Sequence, residues 1–212
     1  KFKNNFSCQY TSIEYKKLAV ISNGIPDKFE MKKTPREKIK IICSGTLTKR
    51  KGQKIIVDAL LNLGAKYYEK FEILFFGDGP ELNFIRDTIC HNDLSTTIKL
   101  MGKSSNKNII NEMLNSHIVI LMSEDEGMPL SIIEGMMTGC AIISTDVGCI
   151  RDMITEECGY IIERDSQTLA MILSSLEIST IKEMGLRSRE RYLDNYSSNM
   201  MIKNQISYLN SL

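Results

Sequence analysis

Two carboxylates with seven residues between them, Glu126 and Glu134, are the side chains of this 212-residue chain best placed to do chemistry. They lie in the stretch Met122-Ser123-Glu124-Asp125-Glu126-Gly127-Met128-Pro129-Leu130-Ser131-Ile132-Ile133-Glu134-Gly135, between two apolar runs, His117 to Met122 and Cys140 to Ser144. Both runs have the length and the Val and Ile content of buried parallel strands. A polar loop therefore leads from a strand end into a helix. Pro129 suits the first helical position, where its missing N–H would have no partner anyway and its fixed φ fits the helix. The free N–H groups of Leu130, Ser131 and Ile132 would then point back toward the loop. Unpaired donors and the positive end of the helix dipole converge there, which makes an anion site.

Glu134 is out of keeping with its surroundings. From Gly127 to Thr145 every other residue is apolar, small or hydroxylic, so one carboxylate is set into a helix that otherwise reads as buried, and such a charge needs a partner. Taken alone, it reads as a surface residue or one satisfied by a backbone N–H. Taken with Glu126, it flanks the anion site, one carboxylate beside the phosphate position and the other a little over one turn deeper.

An alternation of strand and helix signals positions these residues. Ile39 to Ser44 reads as a strand, followed by a helix from about Gly52 to Tyr68 with Ile55, Ile56, Ala59, Leu60 and Leu63 on one face. Strand Phe71 to Phe76, helix Pro80 to Cys90, strand Thr97 to Met101 and helix Lys107 to Leu114 come next. Beyond the Pro129 helix and the Cys140 strand stand a short helix near Cys149 to Thr155 and a strand at Gly159 to Ile162. Such alternation makes right-handed βαβ crossovers, and hence an α/β fold, a Rossmann-like parallel sheet with helices on both faces. The C-terminal segment is helical, at Ser166 to Leu176, Ile178 to Asn195 and Asn199 to Leu209. In the last of these Met201, Ile202, Gln205, Ile206 and Leu209 recur at helical spacing and read as core packing. Ahead of the alternation, Leu18 to Ser22 reads as a short strand closed by the turn signal Asn23-Gly24, and Met31 to Lys38 as a charged linker.

Ligands of such sheets collect at the carboxyl ends of the strands, and the polar loops fall there. After the first core strand, Gly45-Thr46-Leu47-Thr48-Lys49-Arg50-Lys51-Gly52 sets Lys51 just before a helix start. A point charge beside free backbone donors suits a phosphate, the plainer reading being a solvated lysine. After the second strand, Gly77-Asp78-Gly79-Pro80-Glu81 reads as a tight turn near the ligand, with Asp78 as a turn residue. After the third stands Gly102-Lys103-Ser104, a ligand loop or a surface turn.

These stretches resemble the family 4 (group 1) retaining glycosyltransferases. The run from Glu126 to Gly148 is similar to the family's Glu-x7-Glu signature, and the combination of Glu-Gly-x-Pro with the Gly139 turn and the following strand makes the match specific. Gly45 to Gly52 is similar to the family's Gly-Arg-Leu-x-x-x-Lys-Gly, with Thr46 where an arginine is usual, so one of two cations expected on a diphosphate is missing unless Lys49 or Arg50 reaches in. Gly77 to Glu81 resembles Gly-x-Gly-Pro-Glu, and Gly102-Lys103-Ser104 the stretch that lies against the nucleotide base. Asn23-Gly24-Ile25-Pro26-Asp27-Lys28-Phe29 is similar to the segment by which the chain enters the donor domain.

The resemblance implies one half of a two-domain GT-B fold. Residues 18–212 would be the nucleotide-sugar-binding (donor) domain, and Lys1 to Lys17 a remnant of, or linker from, an N-terminal acceptor domain. Lys51 and the N–H groups after Pro129 would hold the diphosphate, Glu134 the ribose hydroxyls, and Glu126 the transferred sugar, in an electrostatic and positioning role. Gly127, Met128, Leu130 and Ser131 would line the donor site with the loops at Gly45-Thr46, Gly77, Gly79 and Lys103-Ser104. No cofactor or metal is expected beside the nucleotide-diphosphate sugar, although Glu124-Asp125-Glu126 is the run a cation would choose. A glycan or lipid-linked acceptor would be bound by the N-terminal domain, to which the family's terminal helices cross back. This chain alone is then expected to bind donor without transferring sugar. Two other readings remain: half of a nucleotide-sugar epimerase, opposed by the string from Glu126 to Gly135, and a non-catalytic nucleotide-sugar-binding module, favoured by Thr46.

Composition excludes several classes. A net charge of +1 with cations scattered among acids argues against a nucleic-acid surface or a polybasic anchor. No apolar run reaches the roughly eighteen residues of a membrane span, and Lys1 to Tyr10 is too polar for a signal-peptide core. The expected place is the cytoplasm, with peripheral contact at the inner face of the membrane open to a full-length protein. Six cysteines without a Cys-x-x-Cys pair read as small buried hydrophobes, and no Cys/His set has zinc spacing. A dinucleotide fingerprint would need glycine at Leu82, and Gly45 to Gly52 does not complete a Walker sequence.

Overall fold

The computed structural model describes residues 19–27 and 37–211. Six parallel strands make one sheet: β1 Ile39–Ser44, β2 Phe71–Phe76, β3 Ile98–Gly102, β4 Ile118–Leu121, β5 Ala141–Thr145 and β6 Gly159–Ile162. Their spatial order is β3-β2-β1-β4-β5-β6. The helices are α1 Gln53–Leu63, α2 Leu82–His91, α3 Asn106–Leu114, α4 Leu130–Met137, α5 Ile150–Met153, α6 Ser166–Ser175, α7 Ile178–Asn195 and α8 Ser198–Leu209. This is the doubly wound arrangement that the alternation predicts.

Alternate residues of each strand feed two cores. Ile41, Ile73, Ile118 and Ile143 face α1, α2 and α6, while Ile42, Leu74, Val119 and Ile142 face α3, α4, α5 and α7. Burial on both faces is why these strands read as unbroken apolar runs rather than alternating ones. β1 pairs with β2 along its whole length, Ile39 opposite Phe71 through Ser44 opposite Phe76, and with β4 at Ile41 and Ile42. The chain winds outward from β1 through β2 to β3, then crosses back to β4 on the other side of β1 and winds outward again through β5 to β6. A crevice opens at the carboxyl ends of β1 and β4, the usual ligand position in such sheets.

Four expectations change. The first long helix stops at Leu63, where Gly64 leaves helical geometry at φ 89° and ψ 159°, and Ala65–Lys70 continues as a 3-10 turn. Residues 19–22 form no strand, and Asn23-Gly24 makes no hairpin turn; Ile25 instead makes an isolated parallel bridge to Ser197. Gly24 serves close approach, since a Cβ there would lie 2.6 Å from the Ser197 carbonyl oxygen. Pro129 is the N-cap of α4 rather than its first helical residue: its φ of −69° fits both positions, but its ψ of 118° is extended. Finally, α8 buries none of its residues, and Ile202, Ile206 and Leu209 are 48%, 52% and 65% exposed. Their periodicity marks a face to be covered, and nothing within the described residues covers it.

The leading segment is pinned to the C-terminal helices. Ile25 N–H donates to the Tyr196 carbonyl (3.0 Å), and its own carbonyl accepts from Ser198 N–H and Tyr192 Oη, both at 2.9 Å. Arg189 binds both carboxylate oxygens of Asp27 at 3.0 and 2.5 Å and donates to the Met137 carbonyl at the end of α4. The predicted segments Lys1 to Lys17, and Met31 to Lys38 except for its last two residues, lie outside the described residues, as do Lys28 and Phe29.

Candidate functional site

Two of the sequence-predicted residues, Lys51 from the loop after β1 and Glu126 from the loop after β4, meet at the carboxyl edge of the sheet. The loop after β1 makes a 3-10 turn, Lys49–Lys51, capped by the Thr48 side chain, and this turn aims Lys51 across the crevice. Lys51 Nζ lies 2.5 Å from Glu126 Oε1 in the loop after β4, with the two side chains only 18% and 10% exposed. Ser123 Oγ donates to the same carboxylate oxygen at 2.6 Å. A half-buried carboxylate thus has a cation and a hydroxyl on one oxygen, which offsets the cost of taking its charge out of water. The Cys43 thiol beneath offers Lys51 no second anion: burial pushes its pKa up to about 12, outweighing the pull of the Lys51 charge.

The Glu126 loop is braced from both sides. Arg50 donates to the Asp125 carbonyl at 2.7 Å, and Arg164 joins the carbonyls of Met122 and Lys49 at 3.0 and 2.5 Å. From the other side, Thr145 Oγ1 donates to the Ser123 carbonyl at 2.6 Å, and the N–H and thiol of Cys149 both donate to the Gly127 carbonyl. Gly148 completes this strap. Its φ is +59°, and a Cβ there would run into the carbonyl oxygens of Glu126 and Gly127. Only glycine combines the left-handed backbone with that approach.

At the start of α4 the N–H groups of Leu130 and Ser131 find no acceptor among the described residues. That of Ile132 does, bonding the Pro129 carbonyl at 3.2 Å, so two donors rather than three face the loop. Pro129 at the cap accounts for the difference, because its carbonyl already closes the first tight turn. Met128, just before it, accepts from Asn23 N–H through its sulfur at 3.3 Å.

Glu134 has a partner that the sequence pattern does not announce. Asn106, the first residue of α3, donates from Nδ2 to Glu134 Oε1 at 2.5 Å. Burial pushes the Glu134 carboxyl above the ordinary carboxylate range, and the Asn106 hydrogen bond pulls partly against it. Ser105 caps α3 through Asn108 N–H, which places Asn106 at the carboxyl edge of the sheet beside Ser104.

The remaining predicted loops belong to the same edge. Gly45 lies against the Lys51 stem, and the loops after β1, β2 and β3 are tied by Gly45 N–H to Phe76, Leu47 N–H to Asp78, and Gly77 N–H to Gly102. Gly79 N–H donates to the Asp78 side chain, as expected of a turn residue, and Lys103 stands 4.0 Å from that carboxylate with its own side chain in solvent. Thr46 is exposed, and its carbonyl accepts from Gln53 Nε2. Arg50, one of the two candidates for a second cation, donates through Nη1 to the Asp125 carbonyl.

A parallel sheet with this strand order and a cation-carboxylate pair at its switch point define a Rossmann-like domain. The chain belongs to the family described as Glycosyl transferases group 1, which it matches over residues 25–194. It is 27% identical over 137 residues to the N-acetyl-alpha-D-glucosaminyl L-malate synthase of Bacillus anthracis, covering 62% of this chain and 35% of that protein. With the amylovoran biosynthesis glycosyltransferase AmsK of Erwinia amylovora it shares 28% identity over 171 residues, 76% of this chain and 42% of that one. Its fold superposes on HepE of Anabaena, solved in complex with UDP, with a TM-score of 0.82 at 18% identity over 99% of this chain and 61% of that one. The chain thus spans about a third to under half of the curated relatives.

Proposed function

We propose that this chain is the donor-binding half of a retaining glycosyltransferase that moves a sugar from a nucleoside-diphosphate sugar to a glycan or lipid-linked acceptor. The observation that carries the reading is the Lys51–Glu126 pair across the switch point, beside the open N–H groups of Leu130 and Ser131. In this reading the diphosphate takes Lys51 and the two N–H groups. Those fixed charges stabilise the departing nucleotide. Glu134 accepts from the ribose, and Glu126, released from Lys51, faces the sugar as an electrostatic and positioning group. The diphosphate is carried without a metal or other cofactor. HepE was solved with UDP, which makes UDP the first nucleotide to try.

The exposed Ile202, Ile206 and Leu209 face of α8 suits packing against residues of a longer protein, and the acceptor would be held there rather than here. No helix among the described residues is long and apolar enough to cross a membrane; we place the protein in the cytoplasm, in peripheral contact with the membrane's inner face where its acceptor is lipid-linked. A non-catalytic binding module is the second reading, favoured by Thr46 together with the engagement of Arg50 on Asp125.

Calorimetry with nucleoside mono- and diphosphates tests the site: diphosphates should bind more tightly, and equal affinity would sink the phosphate assignment. Incubating the chain with donor and crude acceptor, and assaying free sugar and glycosylated product, separates half from whole. Holding an acceptor hydroxyl at the reacting carbon can be worth about 7 to 11 kcal/mol, so slow hydrolysis is the most expected from this chain. A longer parent that binds donor but transfers nothing would favour the binding module.

A further inference from the structure

Arg164 reaches the site from the loop after β6 and touches both of the loops that meet there. The next residue, Asp165, caps α6 by accepting from the N–H groups of Gln167 and Thr168, both at 2.8 Å, so the backbone beside Arg164 is fixed. From there Nε donates to the Met122 carbonyl at 3.0 Å and Nη2 to the Lys49 carbonyl at 2.5 Å. Met122 directly precedes Ser123, whose hydroxyl holds Glu126, and Lys49 opens the 3-10 turn that carries Lys51. One planar guanidinium therefore spans the bases of the two loops whose side chains form the Lys51–Glu126 pair. Arg50 joins the same loops nearer their tips: its guanidinium donates to the Asp125 carbonyl at 2.7 Å, and its own carbonyl accepts from Glu124 N–H at 2.8 Å. Arg50 belongs to one of the loops it ties, whereas Arg164 refers both to the frame of β6 and α6. Open space adjoins this bridge, since Thr48, Lys49, Gly52 and Arg164 share the lining of a cavity of about 490 Å³. On that side the two carbonyls are held by hydrogen bonds rather than by packing.

We propose that Arg164 is a positioning residue, which sets the gap between Lys51 and Glu126 by bridging the carbonyls of Met122 and Lys49. Loops free to drift apart would let water between ammonium and carboxylate, and a solvated pair of this kind is worth little. Held at their bases, the loops bring the two groups to direct contact with both side chains mostly out of solvent. Arginine suits this task and lysine does not, because the guanidinium carries donors in a rigid fork and the ammonium is a compact charge on a flexible stem. The consequence for a ligand rests on the reading of Lys51 as the diphosphate group. Glu126→Gln removes a competitor and leaves the Lys51 turn in place, so diphosphate affinity holds or rises. Loss of Arg164 instead displaces the turn that presents Lys51, so diphosphate affinity falls.

Urea denaturation and calorimetry on the 212-residue chain test this. A double-mutant cycle of Lys51→Ala and Glu126→Gln measures the coupling of the pair, once with Arg164 present and once in the Arg164→Ala background. The coupling should be present in the first and lost from the second. Calorimetry uses whichever of UDP, GDP and ADP binds best, against its monophosphate. In Arg164→Ala the preference for the diphosphate should fall by about tenfold, of the order of one charge-assisted hydrogen bond, with monophosphate affinity unchanged. Arg164→Lys should follow Arg164→Ala in both measurements. Coupling that survives without Arg164, or that is absent with it, overturns the proposal, and so does wild-type behaviour of Arg164→Lys, which would reduce the residue to a charge. Equal loss of mono- and diphosphate affinity in Arg164→Ala would show a purely structural residue. A diphosphate preference that Lys51→Ala loses and Arg164→Ala keeps would also overturn it. If wild type shows no such preference, or Lys51→Ala retains it, the diphosphate reading of Lys51 falls, and the cycle alone decides whether Arg164 positions the pair.

Discussion

Glu126 and Glu134 flank the start of one helix and are held by opposite means. Glu126 is gripped on one oxygen by an ammonium from the β1 loop and a hydroxyl from its own loop, so its charge is balanced before any ligand arrives. Glu134 sits inside α4 with a neutral amide on one oxygen, and burial raises its pKa. The first corner is therefore already satisfied, and on the proposed reading a diphosphate would compete for Lys51. The second has a neutral partner on one oxygen, and on the same reading hydroxyl donors would complete it.

The hardest way to break this comparison is Gly148→Ala. The left-handed backbone alone costs a residue with a side chain about 1 to 3 kcal/mol, and the methyl would push on the Glu126 and Gly127 carbonyls. The expected outcome is a lower melting temperature and loss of the diphosphate preference, with discrimination between ribo and deoxy nucleotides retained. Calorimetry on the variant checks this; loss of both preferences would mean that the two corners are not separable. Lys51→Ala comes next. It leaves Glu126 with Ser123 alone and removes the charge on the diphosphate, so diphosphate affinity should fall by about 1 to 3 kcal/mol while monophosphate affinity changes little.

Substituting the carboxylates sharpens the contrast at smaller amplitude. Glu134→Gln should weaken mono- and diphosphate alike, by about 1 to 2 kcal/mol, the difference between a charged and a neutral hydrogen bond. Glu126→Gln frees Lys51 from its competitor, so diphosphate affinity should hold or rise, while a longer parent carrying it should lose turnover. Equal losses of nucleotide affinity in the two variants would mean that the corners do not divide the ligand.

The sheet, and the placing of Lys51 and Glu126 on loops at its carboxyl edge, were legible in the sequence because they follow from local signals: apolar runs of strand length, and a lysine or a proline beside a helix start; the ion pair the two make across 75 positions was not. What was not legible depends on contacts between distant segments. Asn106 reaches Glu134 from another helix, Cys149 and Gly148 strap the Glu126 loop from across 22 positions, and Asn23-Gly24, a turn signal by dipeptide, is used for close approach to Ser197. Helical period gave α8 its apolar face but not its partner, since periodicity reports that a face is to be covered and is silent about what covers it. Pro129 shows the limit at finest scale: its φ fits the cap and the first helical position equally, and only the loop before it decides.

The smallest expected effect is in pH, and it isolates the Glu134 corner. Because burial raises its folded-state pKa, the folded protein holds the Glu134 proton more tightly than the unfolded chain does. By linkage, its contribution to stability is greatest in acid and declines as pH climbs from the ordinary carboxylate value through the raised one, after which the decline is complete. Nucleotide affinity should run the other way over the same window, since a carboxylate accepts from ribose hydroxyls better than its protonated form does. Glu134→Gln removes the titration, so subtracting its curves from wild type cancels the other acids. Thermal melts and calorimetry on both proteins between about pH 4 and 7 provide the curves. A stability difference that falls with pH beside an affinity difference that rises marks a carboxylate held for a ligand at some cost to the fold; for one held only to stabilise the fold, the affinity difference would be flat.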